Sequence, residues 1–348
     1  MSQPAPVSAW DEQRHFHLRP WREALSAWHR LATQAEGATL YHREPWLRLL
    51  CECYGFELSL AAISDGHDLA AGCLLARPRS LLGARRVSLP FSDLCPPLAL
   101  DHGALKDLLA GLLTQGSCEL RGIDPGPPWH ISDCFLHWSL DLRRSRAALE
   151  RAADRNFRRQ VRHAAAAGVE IVIGQAREDI DAFHALQVET RRRLGLLAQP
   201  RRFFHLARSI FPKSALQVWS ARFKGRTVAA VVVLREGERL HAKWAARTVE
   251  APAGANHLLF WSVVEHYAGS VHCLDLGRSD RHNSGLNRFK RELGAQALAL
   301  PYAFYPRRPR YLSAEITTGA LGLLAVIIRR LPRSLCNALG ATFYRYLG

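Results

Sequence analysis

The segment 273–302, CLDLGRSDRHNSGLNRFKRELGAQALALPY, constrains the fold more than any other part of this chain. An apolar, strand-like run over 271–276 ends at Gly277, a polar turn follows, and a helix-like stretch then carries Lys290. In α/β proteins, ligand-binding groups are commonly placed where a buried strand passes through a glycine-containing loop into a helix. Arg278 and Lys290 flank this turn and, together with backbone N–H groups, would suit an anionic ligand. The alternative is an ordinary strand–turn–helix whose charges are solvated.

The same segment resembles the "D-x-GRS … G … FK … G" block of the Fem-type members of the GNAT acyltransferase superfamily, also described as FemAB-like or CelD/BioF-like acetyltransferases. Two further blocks are similar to the family pattern and occur in the same order. Residues 155–169 resemble its "RN-x-RR-x-(I/V)-R-x-A-x-x-x-GV" helix, and residues 183–204 resemble "F-x-x-L-x-x-x-TRRRLG-x-P-x-x-P-x-x-FF". Leu197 stands where the last pattern has its first proline. The three blocks cover about residues 150–305, nearly half of the chain.

The order of predicted elements agrees with this resemblance. The first half reads helix–strand–strand–strand–helix–strand, a basic helical segment over 142–163 joins the halves, and the second half loosely repeats the order. The resemblance implies an α/β fold of two tandem GNAT-like domains, each a mixed, mostly antiparallel sheet flanked by helices. We therefore expect an N-terminal domain at 1–145, a C-terminal FemAB/BioF-like domain at 146–312, and an amphipathic, basic helical tail at 313–348.

Composition restricts the partners and the compartment. A hydrophobic content of 48% in 348 residues supports sizeable cores and excludes disorder. The net charge of +16 favours anionic partners, namely nucleic acid, anionic lipid head groups or phosphorylated metabolites. The eight cysteines form no CxxC pair and no zinc spacing with histidine, so we expect reduced thiols, no metal site and a cytoplasmic location. The first twenty residues lack the pattern of a signal peptide.

Five polar residues in and after the 271–276 strand form the leading candidate site. Asp275 points to the opposite face from its strand neighbours, and a carboxylate in that position is costly unless it is paired or functional. Arg278 is its expected partner: the pair would either order the loop or form a site. In a site, Asp275 would orient or deprotonate an attacking amine or hydroxyl, while Arg278 bound a phosphate or carboxylate. Lys290, one of only five lysines, is expected to be an exposed cation beside the turn.

These considerations make Asp275 and Lys290 the candidate catalytic residues. Arg191 and Arg192 lie at the end of a predicted helix that stops at Gly195, where they would bind pyrophosphate, a carboxylate or a backbone carbonyl, or form a solvated face. Lys243 shares one face of a predicted strand with His241, which faces either a cleft or an open sheet edge. The candidate substrate-binding residues are Arg191, Arg192, Lys243, Arg278, Ser279 and Asn283.

The donor is the next question, because acetyl-CoA-dependent GNAT enzymes carry (Q/R)-x-x-G-x-(G/A) at a strand-to-helix junction. The matching stretch here, RTVEAPAGAN over 247–256, keeps only Gly254 and Ala255, and Pro252 removes one N–H donor. Gly254, Ala255 and Asn256 are the candidate cofactor-binding residues. Fem-type enzymes that use aminoacyl-tRNA also lack the motif, and the basic helical segment suits an RNA backbone, although no RNA-specific aromatic motif is present. We expect no tightly bound cofactor, with acyl-CoA or aminoacyl-tRNA as co-substrate.

The end of the chain differs from the rest. The apolar run at 316–328 has 13 residues, about 20 Å as a helix, and is too short to span a bilayer. Leucines and an isoleucine recur at helical spacing near Arg329, Arg330 and Arg333, with Pro332 expected to break the helix. Such a segment either lies on an anionic membrane surface or docks on the domain or a partner.

The resemblance implies a transferase that moves an acetyl, other acyl or aminoacyl group to an amine or hydroxyl. The acceptor would be a phosphorylated or lipid-linked precursor of the cell envelope or of an exopolysaccharide. The enzyme would be cytoplasmic, with peripheral contact at the inner face of the membrane. The rival interpretation is a non-catalytic GNAT-like adaptor of an envelope or polysaccharide assembly complex, which the reduced glycine loop favours and the intact GRS…FK block opposes.

Overall fold

A computed structural model describes residues 14–66, 68–78, 85–308 and 319–347. The lead-in at 1–13 and the beginning of the predicted tail, 313–318, lie outside the described residues. The chain divides into two compact units, and the second of them receives the tail.

The first unit comprises residues 14–132 and 301–308. Its sheet has the order β1-β2-β3-β4-β6-β13, with β5 beside β3, and all pairs are antiparallel except β4 with β6. Helix α3 begins at the Asp101 cap and buries Leu108 and Leu112 against this sheet. The elements are β1 (His15–Pro20), α1 (Leu25–Gln34), α2 (Glu44–Tyr54), β2 (Leu58–Asp65), β3 (Asp68–Ala76), β4 (Arg86–Val87), β5 (Leu98–Ala99), α3 (His102–Leu113), β6 (Cys118–Arg121) and the second half of β13 (Gln296–Tyr305).

The second unit comprises residues 133–300 and the tail. Its sheet has the order β7-β12-β11-β10-β9-β8, in which only β11 and β12 are parallel. Helix α8 packs Leu259, Val263 and Val264 into the main core of this unit. The elements are β7 (His130–Asp141), α4 (Arg146–Ala152), α5 (Arg155–Ala166), β8 (Glu170–Gly174), α6 (Arg177–Arg193), α7 (Arg201–Ile210), β9 (Leu216–Phe223), β10 (Arg226–Glu236), β11 (Arg239–Arg247), α8 (Ala255–Tyr267), β12 (Cys273–Asp280), α9 (Ser284–Glu292), the first half of β13, α10 (Gly319–Arg330) and α11 (Arg333–Phe343).

The predicted α/β class and the mixed, mostly antiparallel sheets are confirmed. Two details differ from the sequence prediction. Strand β7 pairs with β12 and so belongs to the second unit, although its sequence suggested the first half. The predicted loop at 277–279 is instead part of β12, where a bulge between Asp275 and Arg278 is made possible by Gly277 at φ +65°. The proposed domain limits at residues 145 and 312 stay predictions.

The helical tail packs on the second unit. It is broken at Pro332, as predicted: α10 ends at Arg330 and α11 begins at Arg333. Two glycines allow the close approach, because a Cβ at Gly195 would stand 2.7 Å from the Ala325 Cβ, and one at Gly340 would stand 2.4 Å from the Ala198 carbonyl oxygen. Docking, one of the two alternatives left open by the sequence, is therefore present in the structure.

Candidate active site

Strands β11 and β12 part from each other at the centre of the second unit. They pair over only three residues each, ending at His241 and Asp275, and β12 then continues through its bulge beside β7. Because main-chain pairing stops there, side chains at this point border an opening in the sheet rather than a continuous ladder.

Asp275 is held at this opening by two histidines. Its Oδ2 lies 3.0 Å from Nδ1 of His241, its Oδ1 lies 3.6 Å from Nε2 of His137, and the Gly277 N–H donates to Oδ1 at 2.6 Å. The Asp275 side chain is 12% exposed. Burial alone would raise its pKa, but the His241 hydrogen bond, the two neighbouring imidazoles and the Gly277 N–H together lower the pKa of Asp275 below its usual value.

The predicted Asp275–Arg278 pair is therefore wrong, since the carboxylate is bound by His137, His241 and a backbone amide. The Arg278 guanidinium instead lies over the Phe135 ring, 4.4 Å from its centroid. A sequence could hardly reveal this arrangement, because 104 residues separate His241 from His137 and only the sheet order joins them to Asp275.

The expectation of an exposed cation at Lys290 is also wrong. Lys290 is 4% exposed, and its Nζ donates to the carbonyl oxygens of Gly277 at 3.1 Å and Arg278 at 3.2 Å. The ammonium thus holds the bulge of β12 against α9. This position makes Lys290 a residue that shapes the site, and the catalytic role assigned from sequence stays a prediction.

Ser279 and Asn283 also have structural partners. The Ser279 hydroxyl donates to Asn287 Oδ1 at 2.5 Å and accepts from Trp138 Nε1 at 2.7 Å. Asn283 caps α9, where its side chain accepts from the Leu286 N–H. Much of the GRS…FK block therefore fastens β12 to α9, and the substrate-binding roles of both residues stay predictions.

The three remaining substrate-binding candidates have other neighbours. Arg191 donates to the Leu197 carbonyl at 3.1 Å, and Arg192 donates to the carbonyls of Arg329 and Leu331 at the end of α10. A backbone carbonyl was one of the partners considered for both arginines. Lys243 places its Nζ 5.7 Å from the centre of the Trp244 ring. None of the three lines the cleft described next.

A cleft of about 680 Å³ opens at the N-terminus of α8. It brings together the three predicted cofactor-binding residues, Gly254, Ala255 and Asn256, and no side chain caps the helix there. Such a helix end attracts anions because its first N–H groups point outward. Gly254 has φ +82°, and a Cβ there would stand 2.1 Å from the Gln160 carbonyl oxygen of α5. Glycine is thus required for the close approach of α5 to this loop.

Sequence reasoning missed most of the other cleft residues. Arg247 and Arg288 contribute positive charge, and Glu292 contributes a carboxylate. Asn256 Oδ1 and His257 Nδ1 are buried atoms with no hydrogen-bond partner among the described residues. Burial lowers the pKa of His257, which keeps this imidazole neutral at pH 7. The advance signals were Asn156 in the block 155–169, Arg247 in the stretch 247–256 and Arg288 in the segment 273–302, although the sequence assigned none of the three to a cleft.

Comparison with known proteins agrees with this geometry. Residues 151–291, which include α5, β11, α8 and α9, match the model of the acetyltransferase (GNAT) domain. This segment has the sequence pattern of a GNAT domain. The family resemblance seen in the sequence is confirmed, and acyl transfer is the chemistry of this group of enzymes. No curated protein matches the sequence.

Solved structures share the fold of this chain at low identity. A crystal structure of FemX has a TM-score of 0.56 and 11% identity, covering 79% of this chain and 94% of FemX. The C-terminal domain of a putative lysylphosphatidylglycerol synthetase from Agrobacterium fabrum has a TM-score of 0.53 and 12% identity, and the match covers 88% of this chain and 95% of that domain. A tandem GNAT protein from the clavulanic acid biosynthesis pathway has a TM-score of 0.55 and 14% identity, and the match covers 85% of this chain and 100% of that protein. The last comparison confirms the prediction of two tandem GNAT-like domains as a fold.

Three further observations concern the described residues only. They contain no group of three or more His, Cys, Asp or Glu side chains placed to hold a metal ion. None of their helices is both long and apolar enough to cross a bilayer. None of the eight cysteines forms a disulfide.

Proposed function

We propose that this GNAT chain transfers an acyl or aminoacyl group from a donor in the α8 cleft to an amine or hydroxyl of a cell-envelope or exopolysaccharide precursor. The observation that carries the proposal is the cleft itself, which combines an uncapped helix N-terminus with Arg247 and Arg288 inside the GNAT domain. Its charge suits a phosphate-bearing donor. The lysylphosphatidylglycerol synthetase domain, whose name refers to a membrane phospholipid, supports an envelope acceptor.

Strand β11 links the cleft to the Asp275 cluster. Ala245 lines the cleft and His241 lies four residues earlier, a distance of about 13 Å along an extended strand. A donor anchored by its phosphates at α8 would need an extended arm to bring its acyl carbonyl to His241. Such an arm is compatible both with an acyl-CoA and with the terminus of an aminoacyl-tRNA.

At the opening, the proposed base is His241. Asp275 accepts from His241 Nδ1–H, which favours the imidazole tautomer whose Nε2 accepts protons. The base would take the proton of the acceptor amine or hydroxyl as its nitrogen or oxygen attacks the carbonyl carbon. The bond between the carbonyl carbon and the donor's sulfur or oxygen would then break, and the proton taken up by His241 would pass to that leaving atom, giving a free thiol or a tRNA hydroxyl. Most of the rate would come from placing the two reactants together.

The donor is identified by a binding experiment with acetyl-CoA and with charged tRNA. We expect one of them to bind, and Arg247→Ala/Arg288→Ala to weaken that binding about tenfold or more, equivalent to ~1.4 kcal/mol. Arg202→Ala/Arg226→Ala removes two exposed arginines outside the cleft and serves as the control. A tRNA donor should also lose affinity steeply as salt rises, because arginine–phosphate contacts release counterions.

A non-catalytic adaptor is the second candidate. It is favoured by the reduced glycine loop and by the structural use of Ser279 and Lys290. An adaptor predicts no binding of either donor and no product with any envelope precursor. Donor binding that depends on Arg247 and Arg288 would exclude it.

A further inference from the structure

The helical tail carries an unusual share of the exposed apolar surface. Fourteen large apolar side chains are exposed among the described residues, and eight of them lie in the tail. Isolated exposed apolar residues need no explanation, but their concentration in one short segment indicates a binding surface. The eight are Leu323, Leu324, Val326, Ile327, Leu335, Phe343, Tyr346 and Leu347.

The opposite side of the tail is fixed to the second unit. Ile328 and Cys336 are buried in a cluster with Val188 and Ala198. Arg192 donates to the last carbonyls of α10, and Arg333 forms an ion pair with Glu189 at 2.9 Å. The exposed side is therefore held in place by the fold, so that a partner would not need to order these helices on binding.

The charged side chains that the tail itself contributes have one sign. From Ile316 to the end, the sequence has four arginines and neither aspartate nor glutamate. Arg329 and Arg330 are exposed, and the Arg333 side chain remains 65% exposed despite its ion pair. Two such basic surfaces would repel each other, which disfavours a second copy of the chain, whereas anionic head groups would be attracted.

The dimensions of α10 decide how it would meet a membrane. Its 12 residues span about 18 Å, less than the ~30 Å hydrocarbon core, so the helix would lie along the surface and not cross it. We propose that the exposed side of α10 and α11 binds the surface of an anionic phospholipid bilayer. Leu323, Leu324 and Ile327 would enter the boundary between head groups and acyl chains, and the arginines would contact phosphates. This inference rests on exposure and charge, independently of the reaction.

The test uses the full chain and sedimentation with vesicles. Vesicles of phosphatidylcholine alone are compared with vesicles that also contain phosphatidylglycerol. We expect binding to the anionic vesicles, and a loss of about tenfold or more in Leu323→Gln/Ile327→Gln. Leu298→Gln/Val249→Gln replaces two equally exposed apolar residues outside the tail and should bind as the unmodified protein does. Arg329→Gln/Arg330→Gln should weaken binding and reduce its dependence on salt.

Three results would overturn the inference. One is equal binding to both kinds of vesicle, and another is equal binding by the tail variant and its control. The third is a dimer in light scattering that Leu323→Gln/Ile327→Gln dissociates, which would assign the surface to a second copy. Circular dichroism melting checks the fold of each variant. If Leu323→Gln/Ile327→Gln is destabilised, vesicle binding by Arg329→Gln/Arg330→Gln decides whether the inference holds. Both arginine side chains are exposed and lie outside the packed side of the tail.

Discussion

Lys290 illustrates how a residue that looks functional in sequence can serve the fold. Its ammonium is buried and donates to two carbonyls of the β12 bulge. Hydrogen bonds from charged groups contribute more than neutral ones, and removing the ammonium leaves buried carbonyls with fewer donors. The residue is therefore expected to matter for stability before it matters for turnover.

We expect Lys290→Met to lower the free energy of unfolding by about 1–3 kcal/mol. Lys213→Met, at an exposed position, should change it by less than about 0.5 kcal/mol. Urea denaturation of both variants measures the difference. Equal stability of the two variants would contradict the structural role.

Asp275 gives a prediction about pH. Its pKa is lowered in the folded state, so its charge contributes stability above the unfolded pKa of about 3.9 and loses that contribution as the pH falls through the folded value. Asp275→Asn keeps the shape and loses the charge. At pH 6 we expect the variant to melt at a lower temperature than the unmodified protein. This difference in melting temperature should become smaller below about pH 4. A difference in melting temperature that stays constant down to pH 2 would show that the charge of the Asp275 carboxylate does not stabilise the fold.

The sequence was more informative about which residues line the α8 cleft than about the hydrogen-bond partners of the candidate residues. Gly254, Ala255 and Asn256 do line a cleft, because a glycine before an apolar helix is a local signal. The pairing of Asp275 was missed because it depends on the register of three strands, and register depends on long-range packing. For Arg191 and Arg192, a backbone carbonyl was one of the expected partners, but the sequence could not say which one, since these carbonyls belong to the loop after α6 and to the distant tail.

At the scale of elements, the most informative contacts are those of the docked tail. Gly195 has φ +75°, and any Cβ there would meet Ala325 of α10. Gly269 has the same φ of +75° with nothing within 4 Å of its Cβ position. The two glycines thus share a left-handed backbone that would strain any other residue, and they differ in what a Cβ would contact.

We expect Gly269→Ala to cost about 1–2 kcal/mol of stability from the left-handed backbone alone. Gly195→Ala should cost more and should also loosen the tail, because the new methyl group displaces α10. Limited trypsin digestion followed by mass spectrometry measures cleavage at Arg329 and Arg330. Faster cleavage in Gly269→Ala than in Gly195→Ala would contradict this account.

Element positions followed well from sequence where apolar periodicity was strong. The helix break at Pro332 and the strand beginning near 271 are examples, since proline and a buried apolar run act locally. The end of β12 was placed too early. A glycine in a strand usually suggests a turn or a bulge, and only the pairing of Arg278 with His137 in β7 decides for the bulge.

At the scale of the whole molecule, the first unit is not a continuous piece of chain. The edge of β6 is paired with Tyr302–Tyr305 of β13, which lies far along the sequence. A fragment of residues 1–145 would therefore expose that edge together with buried Cys118 and Leu120. Unpaired, apolar strand edges promote aggregation.

We accordingly expect the 1–145 fragment to be insoluble or to aggregate in size-exclusion chromatography, while the full chain stays soluble. A fragment in which residues 301–308 are appended to the end of 14–132 through a flexible linker should recover solubility. A monomeric, cooperatively melting 1–145 fragment would show that the β13 partner is dispensable.

The path of β13 also bears on synthesis at the ribosome. Residues 133–300, 168 in number, must emerge before the last strand of the first unit becomes available. At about 5–20 residues per second, this interval lasts roughly 8 to 34 s. During it, the nascent N-terminal portion presents an open strand edge, a species that chaperones hold. Slow codons placed within the second unit would lengthen that exposure, so the yield of native protein should depend on translation speed in that region.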